Sequence, residues 1–82
     1  MQLFLSSDDL SLCQRANALE QRLRERLADV RLVCEVEIDD NTFAEIQQVM
    51  QALIPTYKRK IGAIFPALTV IYLVEEGSRN YR

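Results

Sequence analysis

Apolar positions recur along this chain in three rhythms, and each rhythm predicts its own kind of element. Leu12, Ala16, Leu19, Leu23 and Leu27 follow one another at steps of four, three, four and four. That is the stripe of an amphipathic helix, ending near Ala28. Ser6, Ser7, Asp8 and Asp9 stand before it with cap oxygens and first-turn acids. Arg15, Glu20, Arg22, Arg24, Glu25 and Arg26 fill its other faces with alternating sign, which reads as a solvated surface with weak ion pairs. Phe43, Ile46, Val49, Met50, Leu53 and Ile54 give a second helical face. Thr42 and Glu45 have the spacing of a capping box at its start, and Pro55 is expected to end or kink it.

The second rhythm is alternation. From Val30 to Ile38, Leu32, Cys34, Val36 and Ile38 fall on one face. Arg31, Glu35 and Glu37 fall largely on the other, with Val33 between them, so the segment reads as a half-exposed strand. The third rhythm is an unbroken apolar run. Met1–Leu5 and Phe65–Val74 both show it, and both read as buried strands. Pro66 cannot donate to a strand ladder, so it is expected at the mouth or edge of the last strand. Thr56–Ile64, with Lys58, Arg59, Lys60 and Gly62, reads as a loop or a broken helical segment. Glu75–Ser78 reads as a turn before a short polar tail.

The resulting order is β-α-β-α-β, an α/β fold in one domain of 82 residues. Right-handed crossovers would make the first two strands parallel neighbours. Bulk properties change this picture little. Hydrophobic residues are 49% and charged residues 27%, ordinary for a globular domain, and the four Gly and Pro residues argue against disorder. A net charge of −2 offers no global attraction for nucleic acid or an anionic membrane. No secretory leader or bilayer-length apolar stretch is present, and the two cysteines read as reduced thiols, so the expected location is cytoplasmic. With no histidine, His-based triads and His metal sites are excluded, and no metal or other cofactor is expected.

An early cysteine in the first helix, the run Glu37-Ile38-Asp39-Asp40 closing the second strand, and Phe65-Pro66 before an apolar strand together resemble the thioredoxin and glutaredoxin family. Cys13-Gln14-Arg15-Ala16 is similar to the second half of a glutaredoxin motif. The resemblance covers about residues 1–74. It implies a three-stranded mixed sheet with two main helices and a cis bond before Pro66. It also implies a peptide-binding backbone at Ile64 and Phe65. Two departures stand against it. Leu10 occupies the place of the attacking cysteine, and no fourth strand and final helix follow residue 74.

Those departures favour a degenerate thioredoxin-like protein acting as a protein-binding or regulatory module. It would hold a protein partner or its own copy through a sheet edge and the Pro66 loop, with Ile64, Phe65, Pro66 and Tyr72 as binding residues. The alternative is a monothiol redox protein using Cys13 as its reactive group. Cys13 lies near an expected helix N-terminus, which lowers a thiol pKa, although Asp8 and Asp9 oppose thiolate formation. Without the resemblance, Pro66 is an ordinary trans proline, Cys13 an inert thiol and Cys34 a small buried hydrophobe. Lys58-Arg59-Lys60 beside Tyr57 is a weak signal for phosphate or RNA, read first as a solvated loop. Asp8, Asp9, Asp39 and Asp40 would share one end of a parallel sheet, where capping accounts for them more simply than a divalent ion.

Overall fold

The computed structural model describes residues 7–80. Over that span the chain builds α1 (Ser7–Ala28), a 3-10 turn (Val33–Glu35), α2 (Asp40–Tyr57), a second 3-10 turn (Lys58–Lys60), the one-turn helix α3 (Ile61–Ile64) and α4 (Pro66–Asn80). The expected α/β architecture with a thioredoxin-like mixed sheet is therefore wrong. Neither described segment read as a strand pairs with another, and the fold is a small all-helical bundle. The first expected strand, Met1–Leu5, lies outside the described residues.

Both helical stripes pack as their spacing demands. Ala16, Leu19 and Leu23 of α1 are buried, with Leu12 and Leu27 at the margin of the core. Phe43, Ile46, Val49, Met50 and Leu53 of α2 meet them. Asp39 caps α2 by accepting from Thr42 N at 3.0 Å, so the expected Thr42/Glu45 box is replaced by an aspartate cap one turn earlier. Pro55 does not stop α2, which runs two residues further to Tyr57.

The largest correction concerns residues 66–74. Pro66 opens α4 instead of a strand, at the one helical position where a missing N–H costs nothing. Phe65 before it lies outside helical geometry at φ −127° and ψ 70°, because the proline ring crowds the helical region of the residue that precedes it. Thr69 N then donates to Phe65 O at 2.9 Å and closes the first turn. The apolar run fits this helix because Ala67, Leu68 and Ile71 reach the core together. The β-branched residues of the run lower helix propensity by up to about 0.7 kcal/mol each. Burying Leu68 and Ile71 returns about 1.5–3 kcal/mol apiece, so packing decides the conformation.

The segment 30–38 is a connector. Val36 and Ile38 are buried and the backbone at Val36 is extended, so the alternating pattern is real at that end. Leu32 and Cys34, expected on the same buried face, are exposed because Val33–Glu35 turns in a 3-10 coil. The Arg26 guanidinium donates to Glu37 O at 3.1 Å and ties the connector to the end of α1.

Candidate functional site

Cys13 sits in the second turn of α1, beyond the first turn where the helix dipole acts most strongly. Its Sγ lies 3.4 Å from the Tyr57 hydroxyl, and either group can donate. Asp9, Leu12, Leu53, Thr56 and Tyr57 enclose the thiol in a cleft of about 80 Å³. The contact with Cys13, followed by burial, pushes the Tyr57 phenol above its ordinary pKa of 10.0.

Tyr57 links this cleft to the elbow where α2 gives way to α3 and α4. Its ring meets the buried Phe65 ring edge-on, with centroids 6.4 Å apart and planes at 81°. On the other side it walls an open groove of about 670 Å³ with Thr56, Lys58, Arg59, Lys60 and Ile64. The three cations are exposed, and Ile64 is 45% exposed. Lys58 has φ 52° and ψ −124°, a left-handed conformation that glycine adopts without strain and lysine does not. Its N–H donates to Ile54 O, so this strained residue terminates α2 and sets the direction of the basic turn.

Of the residues expected to bind a peptide, Ile64 alone lines this groove. The Phe65 side chain is core, and its backbone, expected to pair with an extended peptide, is already engaged. Phe65 N donates to Ile61 O at 2.8 Å, and Phe65 O accepts from Thr69. The Phe65–Pro66 bond is trans. Pro66 is exposed on the first turn of α4. Tyr72 is half-buried on α4, where burial and then a hydrogen bond with Glu76 raise its pKa above 10.0. The sheet edge expected to recruit a partner does not exist among the described residues.

The aspartates do not converge either. Asp9 lines the cleft near Tyr57 at the C-terminal end of α2, whereas Asp39 and Asp40 stand at its N-terminal end. Among the described residues no group of three Cys, Asp or Glu side chains could hold a metal ion. Asp40 instead meets Arg79 Nη1 at 2.6 Å. Arg79 also donates to Glu75 Oε2 at 3.1 Å and Ile38 O at 2.9 Å, and its guanidinium lies 4.3 Å from the centre of the Phe43 ring. A residue read from sequence as polar tail thus fastens the end of α4 to the start of α2.

Glu20 was also misplaced by the sequence pattern. It is 3% exposed, and its carboxylate accepts from Ala67 N at 3.1 Å, Leu68 N at 2.8 Å and Arg24 Nε at 2.7 Å. The available signal was Phe65: a proline-led helix with no cap oxygen in the preceding residue needs an acceptor from elsewhere. Comparison with known proteins finds no matching family model, curated protein or solved structure. No single helix among the described residues is long and apolar enough to cross a membrane.

Proposed function

We propose that this protein is a small helical protein-binding module that docks a partner at the elbow between α2 and α4. The observation that carries this reading is the 670 Å³ groove formed by Tyr57, the Lys58–Lys60 turn and Ile64. Its walls combine an aromatic ring, an exposed aliphatic side chain and charge, a mixture suited to recognition. Strain at Lys58 supports the same reading, because residues held in costly backbone conformations concentrate at functional sites. Around the groove the bundle is well satisfied: among the described residues no buried side-chain nitrogen or oxygen lacks a hydrogen-bond partner.

The test is a selection of displayed random peptides on the immobilised protein, followed by amide chemical-shift mapping of the enriched sequences. Enriched peptides should move the amides of residues 56–64 and lose binding to the Ile64→Asp variant. Failure to enrich any sequence, or shifts centred elsewhere, would remove the elbow as the docking site.

A further inference from the structure

We infer that the elbow groove takes an acidic segment of a partner protein, seating an apolar side chain between Tyr57 and Ile64 and carboxylates on the Lys58–Arg59–Lys60 turn. This rests on reading the groove as a docking surface and adds the chemistry of its occupant. The chain carries 12 acidic and 10 basic residues, yet three of its cations are consecutive and line one groove. Arg24 and Arg79 are taken by carboxylates of the chain itself. Lys58, Arg59 and Lys60 form no ion pair among the described residues. They present a local positive field on an acidic molecule, which is the arrangement that attracts a complementary acidic surface.

The geometry favours an extended acidic segment over one compact anion. Lys58, Arg59 and Lys60 border an open groove and do not enclose a closed pocket, so they do not converge on a single point. They can instead meet carboxylates distributed along a strip. The C-terminal dipole of α2 accounts for some preference for cations at this end. It does not account for the exposed Ile64 beside them, which supplies the apolar half of the site. The Tyr57 ring, braced by Phe65 and held at its hydroxyl by Cys13, gives that half a fixed wall.

The test uses a short fluorescein-labelled peptide of glutamate and leucine, and the same peptide with lysine replacing glutamate. Fluorescence anisotropy should show the acidic peptide binding and the basic one failing. Affinity should fall as sodium chloride is raised. Binding should weaken on the order of tenfold when Lys58→Glu, Arg59→Glu and Lys60→Glu are combined, taking each exposed pair at its usual modest worth. The salt series on the unmodified protein gives an independent answer should the triple variant lose its fold. If display-selected peptides occupy the groove but acidic and basic probes bind alike, the acidic preference is wrong and the docking site stands. If no peptide occupies the groove, both are wrong. Phosphatidylserine vesicles or single-stranded RNA binding through the three cations while the acidic peptide does not would overturn the inference. So would self-association abolished by the same charge reversal in the absence of peptide binding.

Discussion

The carboxylate of Glu20 on α1 closes the N-terminus of α4, accepting from Leu68 N at 2.8 Å and from Ala67 N at 3.1 Å. Phe65 precedes the helix without a cap oxygen, and Pro66 supplies no N–H, so these are the second and third helical donors. Both are buried and have no access to water as a substitute. Glu20→Ala is expected to cost about 2–4 kcal/mol, the penalty for leaving two buried donors without an acceptor. Glu20→Gln keeps one acceptor oxygen and should cost less than half as much. Urea denaturation followed by circular dichroism measures both, and an alanine variant as stable as the parent would show that the cap is not formed in solution.

Asp39 makes the other helix start sensitive to pH. The Thr42 hydroxyl donates to its Oδ1 at 2.6 Å and Thr42 N to its Oδ2, and these bonds hold its pKa below the ordinary 3.8. A carboxyl depressed in the folded state binds protons more readily once unfolded. Its contribution is therefore fully present above about pH 4–5 and is lost as pH falls through the folded-state value. Asp39→Asn retains a good cap without the charge. The urea midpoint of the parent should fall more steeply than that of Asp39→Asn between neutral pH and the acid range. Parallel curves would remove the charge-assisted cap.

The two helical stripes were legible because a period near 3.6 with polar residues between has one structural meaning. The run from Ala67 to Val74 was not, because continuous apolar character contains no period to read. Its β-branched residues favour a strand locally, and only Glu20, forty-eight positions before Leu68, supplies the missing cap. That relationship crosses the molecule, and its local mark is only an absence: a proline-led helix with no cap oxygen at Phe65. Alternation at residues 32–38 misled for a related reason: an extended connector laid on a core also buries every second residue, as Val36 and Ile38 do. Of the elbow, the sequence exposed the basic triplet and the break in helix around it. It could not show that Lys58 turns left-handed and brings Tyr57 and Ile64 to the same groove.

Lys58 should be replaceable with a gain in stability. A non-glycine residue at positive φ costs about 1–3 kcal/mol, and glycine removes that strain. Glycine adds about 0.5–1 kcal/mol of unfolded-state entropy, so Lys58→Gly is expected to stabilise by about 1 kcal/mol. The same variant should bind the acidic peptide less well, having lost a cation. A destabilised Lys58→Gly in urea titration would contradict the backbone geometry at the elbow.

The thiol of Cys13 reports on Tyr57. Its contact is the largest cause raising the Tyr57 phenol above 10.0, because ionisation would end the hydroxyl's role as donor beside a group that itself becomes negative. Tyr72 is raised chiefly by burial on α4, independently of the thiol. Of the three tyrosines, Tyr57 is therefore expected to return toward 10.0 in ultraviolet titration of Cys13→Ala while Tyr72 stays high. Unchanged titration would mean that the Cys13–Tyr57 contact is not populated. Alkylation of Cys13 with iodoacetamide tests the alternative role of this thiol. A half-buried position in the second turn, beyond the strongest dipole field, should leave it reacting no faster than a free small-molecule thiol. Markedly faster reaction at neutral pH would restore thiol chemistry as a function.

Leu68 and Ile71 separate the helix from the strand directly, because α4 buries both and a strand would turn them to opposite faces. In a strand, residues 68, 70, 72 and 74 would share one face; in α4, Leu68 and Ile71 are fully buried while Leu73 is 62% exposed. Leu68→Ala should cost about 2–5 kcal/mol, the usual range for truncating a buried leucine. That is a large part of the roughly 4–12 kcal/mol expected for a chain of this size at about 0.05–0.15 kcal/mol per residue. Leu73→Ala should stay within about 0.5 kcal/mol, since a surface substitution to a better helix former removes little packing. Val70, half-buried at the flank, should fall between them when changed to alanine. Ile71→Ala should cost as much as Leu68→Ala, and chemical denaturation of these four variants together with Tyr72→Ala gives the order. Loss at Leu68, Val70 and Tyr72 with tolerance at Ile71 would be the signature of a strand and would overturn α4, together with the cap that Glu20 provides.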